Sequence, residues 1–271
     1  MPRRCGWSYP VRPWWLSGSR PCCRASSSAS WGWRGGRRVH GRTAFDAHAR
    51  RYDESLDRGL QISGENRDYF AEGRIRFLSH CLRHAGVDVR RVLDYGCGDG
   101  RGTNLLLSGL RAESAIGVDE SGESIELARA RQATGTRFET LAKFKPVGNM
   151  DLAYCNGVFH HIPPGKRPPA LGTIRAALSP EGILAFWENN PWNPGTRLVM
   201  KRIPFDRDAI PLSAPTARRL LRAEGFDVLR TDFLFIFPRQ LKWLRVLEWP
   251  LSRAPLGAQY QVLARRSAAD L

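Results

Sequence analysis

From Ala44 onward the apolar positions fall into two alternating patterns: segments with the three-and-four spacing of an amphipathic helix, and short compact apolar runs. FDAHARRYDESLDRGLQ and NRDYFAEGRIRFLSHCLRHAG have the helical period, and the second is predicted to stop at Gly86. Next come RRVLDY (strand), RGTNLLLSGL (helix), AIGVD (strand), SGESIELARARQAT (helix), TRFE and MDLAYC (strands), PPALGTIRAAL (helix) and GILAFWE (strand). A proline-punctuated stretch leads to TARRLLRAEG (helix) and DVLRTDFLFIF (strand), and a second irregular insert precedes the strand AQYQVLARR. Alternating strands and helices argue for a parallel α/β sheet covered on both faces. The last two strands, with no helix between them, are predicted to form an antiparallel hairpin.

The stretch VLDYGCGDG, residues 92–100, stands where the first strand of this series should turn into a helix. Glycines at such a turn take positive φ and let a ligand approach the main chain. A dinucleotide loop reads G-x-G-x-x-G, whereas Gly96, Gly98 and Gly100 alternate. Asp94 at the strand tip would repel a pyrophosphate and attract a cation. The loop therefore suits a ligand with a positive end and no phosphate.

Acid-x-G-x-G-x-G resembles motif I of the class I S-adenosylmethionine-dependent methyltransferases, and DLAYCNGVFHHIPP is similar to the motif IV stretch of their small-molecule branch, which includes quinone-biosynthesis methyltransferases. The resemblance covers about Ala44 to Arg265. It implies a Rossmann-like sheet of seven strands, mostly parallel with an antiparallel C-terminal hairpin, and S-adenosyl-L-methionine as cofactor. The implied cofactor residues are Asp94, Gly96, Cys97, Gly98 and Gly100 in the loop, Asp119 with Glu120 after the second strand, and Cys155 with Asn156 after the fourth. Tyr52 is a candidate lid residue and Arg74 a candidate partner for the methionine carboxylate, although both also read as ordinary amphipathic helix positions. After the third strand the family usually places an acid; here Thr140, Leu141 and Ala142 stand there, so a backbone group near Leu141 or Ala142 would have to read the adenine.

Methyl transfer from a sulfonium depends chiefly on alignment, and a hydroxyl acceptor also needs a base. His160 is the first candidate, His161 the second and Glu188, at the end of the fifth strand, the third; either histidine can equally be a packing or capping residue. Phe159, Asn190, Trp192, Asn193, Arg197 and Arg202 form the expected acceptor set, drawn from the FHHI turn and the insert WENNPWNPGTRLVMKRIPFD. This set suits an oxygen nucleophile on a polar or anionic small molecule, lipid or saccharide.

Composition changes the picture at one end. Of the +16 formal charge, nine arginines lie in Met1–Arg42, a stretch without lysine or acid that also holds five of the nine tryptophans. The domain plan is therefore 1–42, a basic extension without helical or strand period, and 43–271, the methyltransferase domain with substrate-side inserts at about 189–215 and 238–257. The extension reads as disordered; it could also be a targeting segment or an extension from a misassigned start. The remaining +7 is ordinary, and no basic stripe with interleaved aromatics supports nucleic acid as a partner. The six cysteines lack a C-x-x-C pair, and His80 with His84 has no third ligand in sight, so no metal is expected and the compartment reads as cytoplasmic. The insert PRQLKWLRVLEWPLSRAPLG would lie on an anionic membrane through 239–253, fold back as a lid, or pack on the sheet. An RNA methyltransferase and a non-catalytic cofactor-binding interaction protein remain alternatives to the small-molecule enzyme.

Overall fold

A computed structural model describes residues 59–60, 63–203, 206 and 208–267. The expected extension 1–42, the first helical segment up to residue 58 and Tyr52 lie outside the described residues. The chain divides into units 1–35 and 36–271, and every described residue belongs to the second.

Helix α1 (Arg67–His84) is followed by β1 (Arg91–Tyr95), α2 (Arg101–Leu110), β2 (Ser114–Asp119), α3 (Gly122–Ala130), β3 (Thr136–Thr140) and β4 (Met150–Asn156). Then come α4 (Arg167–Ala177), β5 (Leu178–Asn189), α5 (Pro194–Arg202), α6 (Ala214–Ala223), β6 (Phe226–Leu234) and β7 (Gln259–Arg266). The boundaries follow local chemistry. Asn66 caps α1 by accepting the Tyr69 N–H at 2.9 Å, and Gly86, at φ +66°, follows its end. Ser121 caps α3 and Asn193 caps α5 in the same manner.

The sheet runs β3-β2-β1-β4-β5-β7-β6. β1 to β5 pair in parallel, while β7 is antiparallel to both β5 and β6. The expected C-terminal hairpin is thus present with its second strand inserted inside the sheet: β7 lies against β5 and β6 forms the edge. Strand alternation divides the core. Leu93, Tyr95, Ala153, Cys155 and Phe186 face α4 and α6, whereas Val92, Leu152, Tyr154, Ile183 and Trp187 face α1 and α2. Parallel strands covered on both faces direct their carboxyl ends to one edge, where the loops after β1, β2, β4 and β5 meet.

The two inserts acquire structure. Residues 193–202 become α5 with its cap, and Arg239–Leu247 winds as a 3₁₀ segment. The second insert packs on α1 and the residues just before it: Arg245 pairs with Glu65 at 3.0 Å and lies over the Tyr69 ring, and Trp249 meets Phe77 and His80. Its Trp243 and Val246 stay exposed. Among the described residues no helix is long and apolar enough to cross a membrane.

Candidate active site

The loop after β1 uses its glycines for two purposes. All three take positive φ, at +80°, +55° and +79°. A Cβ on Gly96 would stand 2.3 Å from Val158, and one on Gly100 would stand 2.8 Å from both Ala128 and Phe138. Those two are therefore required by close packing. A Cβ on Gly98 would meet nothing within 4 Å, so this glycine alone faces open space where a ligand can approach the backbone.

Asp119 at the tip of β2 is held by its neighbours: Oδ2 accepts the Gly98 N–H and Oδ1 the Ser121 N–H, each at 2.9 Å. A carboxylate oriented in this way has further lone pairs for vicinal hydroxyls such as those of a ribose. Asp94 is buried under α2 and accepts the Thr103 hydroxyl at 2.6 Å. Burial pushes its carboxyl up to about 7, the Thr103 bond works against that, and the nearby Asp119 charge adds to it. A bound cation would relieve this cost. Two carboxylates and an open glycine, with no phosphate-binding cation among them, fit the sulfonium cofactor. Cys97 and Cys155 are buried and their thiols are pushed well up by burial, so neither is a nucleophile. Glu120 is exposed beside Asp119. After β3, the Leu141 N–H is already donated to the Asp119 carbonyl at 2.8 Å, which removes it as a reader of adenine.

Beyond this loop lies a cavity of about 590 Å³, within the range of small-molecule sites. Its walls are Asn156 at the end of β4 and Gly157 after it, the FHHI turn, α5, the side of α1 that carries Tyr69, Phe70 and Arg74, and the 235–245 segment. Arg67, Arg74 and Arg245 supply cationic groups to its lining, and Glu65 and Asp206 supply acidic ones. Arg74 donates to Tyr154 Oη at 3.0 Å and to Gln259 Oε1 at 2.9 Å, tying α1 to β4 and β7 at the cavity edge.

One cavity wall carries a buried polar cluster. His160 Nδ1 is 2.6 Å from Glu188 Oε2, and its Nε2 is 3.5 Å from Asp206 Oδ1. His161 Nε2 lies 3.4 Å from the same Asp206 oxygen. Burial favours the neutral His160 ring, but Glu188 and Asp206 outweigh it and raise the group to about 10. Burial and the neighbouring His160 charge lower His161 to about 4. Arg167, itself buried, holds the turn by donating to the carbonyls of Phe159, Ile162 and Ile210.

These features have counterparts in known proteins. A family model described as a methyltransferase domain matches residues 63–231. The chain belongs to the class I S-adenosylmethionine-dependent methyltransferases. A protein from Methylobacterium nodulans named trans-aconitate 2-methyltransferase is 30% identical over 222 residues, covering 74% of this chain and 85% of that protein. A protein of the same name from Rhizobium leguminosarum bv. trifolii is 33% identical over 161 residues, covering 54% of this chain. The match spans 62% of that relative's own length. An S-adenosylmethionine-dependent methyltransferase from Mesorhizobium loti has the same fold, with a TM-score of 0.50 at 24% identity, over 69% of this chain and 96% of its own.

In this methyltransferase the structure gathers some of the residues expected from sequence and separates others. Asn156, His160, His161, Arg74 and Asn193 line the cavity. Phe159 is fully buried against Phe186, because its ring points into the core between β4 and α4. Asn190 is a buried strut whose amide donates to the Pro255 and Gly257 carbonyls. Trp192 is 52% exposed, Arg197 and Arg202 are exposed on α5, and none of the three is in the cavity wall. Glu188 stands behind His160, with Oε1 accepting the Phe159 N–H at 2.7 Å. Asp206 and Arg167 were not among the expected residues: Asp206 meets the histidines across more than forty residues, and Arg167 holds the nearby Phe159 and Ile162 carbonyls and the distant Ile210 carbonyl with no motif to mark it.

Proposed function

We propose that this methyltransferase transfers the methyl group of S-adenosylmethionine to an oxygen of a small anionic acceptor, a carboxylic acid, bound in the 590 Å³ cavity. The observation that carries this reading is the cavity itself: it opens beside Asn156 and Gly157 at the cofactor edge, and three arginines contribute to its lining. The names of the relatives supply the first acceptor to try, trans-aconitate.

Asp94, Gly98 and Asp119 would hold the cofactor, which supplies a methyl group already activated by the sulfonium charge. The remaining work belongs to the chain: orienting the acceptor and excluding water. A carboxylate is ionised at neutral pH and needs no base. That agrees with His160, whose Nδ1 faces Glu188 and whose Nε2 faces Asp206, so that both ring nitrogens are engaged by carboxylates. His160, Glu188 and Arg167 are then positioning residues that hold the turn.

The reading is tested by incubating the chain with methyl-labelled cofactor and separate pools of small carboxylic acids, saccharides, lipids and RNA. Label in a base-labile ester of an acid supports it. Label in RNA alone would favour the nucleic-acid alternative, and cofactor binding without any transfer would favour a non-catalytic role.

A further inference from the structure

Asp206, between α5 and α6, is buried, and among the described residues its Oδ1 has no donor at ordinary hydrogen-bond geometry. Leaving a carboxylate oxygen buried without a donor is costly, and such atoms call for an explanation. Facing it are His160 Nε2 at 3.5 Å and His161 Nε2 at 3.4 Å. These separations are long for hydrogen bonds. They match the ligand-to-ligand spacing around a tetrahedral ion with bonds of ~2.0 to 2.1 Å, which is roughly 3.3 Å.

The ligand atoms of all three side chains lie within 4.8 Å of one another. Behind them, Glu188 Oε2 holds His160 Nδ1 at 2.6 Å, which turns Nε2 toward Asp206. A carboxylate backing an imidazole is the arrangement that fixes the tautomer and orientation of a metal-bound histidine. His161 and Asp206 also line the cavity, so oxygen atoms of another molecule could complete the coordination.

We propose that His160 Nε2, His161 Nε2 and Asp206 Oδ1 hold one divalent transition-metal ion on the wall of the cavity. Two imidazoles and one carboxylate suit ions of the zinc, cobalt and manganese class. The ion gives the Asp206 oxygen a partner. The site stands on its own geometry; only the ion's role, holding an oxygen of the acceptor, rests on the methyl-transfer reading. No sequence motif marks the site, because Asp206 is supplied by a segment remote from the two adjacent histidines.

The test uses the full chain stripped with a chelator and titrated with Co²⁺, read by visible absorption and by calorimetry. One equivalent is expected, with ligand-field bands but without intense thiolate-to-cobalt charge transfer, which separates this site from cysteine binding. His161→Gln and Asp206→Ala should each weaken Co²⁺ binding by at least ~10-fold. His161→Gln leaves His160, Glu188 and Asp206 in place, so it guards against a folding defect in the Asp206 variant. No saturable binding, or equal affinity in wild type and His161→Gln, would overturn the proposal and leave a buried ion pair. Cobalt binding is read without cofactor or acceptor, so a chain that binds cobalt and transfers no methyl group contradicts the methyl-transfer reading alone.

Discussion

Glu188 serves His160 twice: Oε2 lies 2.6 Å from the ring Nδ1, and Oε1 is 3.3 Å from the His160 backbone N–H. One buried carboxylate at the end of β5 thus sets both the ring and the turn that carries it. Removing one partner of a buried pair leaves the other uncompensated, so Glu188→Ala should lose ~3 to 5 kcal/mol of stability in urea unfolding. Glu188→Gln, which keeps an acceptor oxygen, should lose less. A Glu188→Ala midpoint equal to that of wild type would show that the pair does not organise the turn.

The loop glycines should separate under substitution. Gly100→Ala drives a methyl group into Ala128 and Phe138 at positive φ, and should lower the melting temperature strongly. Gly98→Ala has open space and should cost only the ~1 to 2 kcal/mol of left-handed backbone strain while weakening S-adenosylmethionine binding. Thermal melts with calorimetry on both variants decide the matter; unchanged cofactor affinity in Gly98→Ala would remove this glycine from the site.

Asp94 makes cofactor binding depend on pH. Its folded-state group, raised to about 7 by burial, is protonated below that value and must ionise before it can take a cation. Affinity should therefore weaken as pH falls below 7, by up to about tenfold per unit. The sign for stability is the reverse of the usual carboxylate case. A raised folded value means that the cofactor-free protein loses stability as pH rises from the unfolded value of 3.8 through 7, and bound cofactor should restore it. Calorimetric titrations from pH 5.5 to 8 measure the affinity, and the same slope in Asp94→Asn would show that another group is responsible.

The sheet and the glycine loop after β1 were legible because their signals are local. Apolar runs, alternate glycines and the acids at strand tips sit within a few residues of the features they specify, as Asp94, Gly98 and Asp119 do. The cavity side was less legible because it is assembled by packing. Nothing near Phe159 says that its ring turns inward, and Asn190 resembles a polar contact residue until the Pro255 and Gly257 carbonyls arrive to take its amide. The cavity wall made by Tyr69 and Arg245 joins α1 to an insert far along the chain. The position of β7 between β5 and β6 is likewise a matter of sheet order, which strand periodicity does not encode.

The most direct measurement of the central claim is methyl transfer to a small carboxylic acid by wild type and by Val199→Trp, a substitution that fills the cavity from α5, away from the cofactor loop. Wild type should form a labelled, base-labile ester, and Val199→Trp should bind S-adenosylmethionine with wild-type affinity while losing transfer by ~10²-fold or more. Equal transfer rates in the two proteins, or label that never enters an acid, would contradict the assignment of this cavity as the acceptor site.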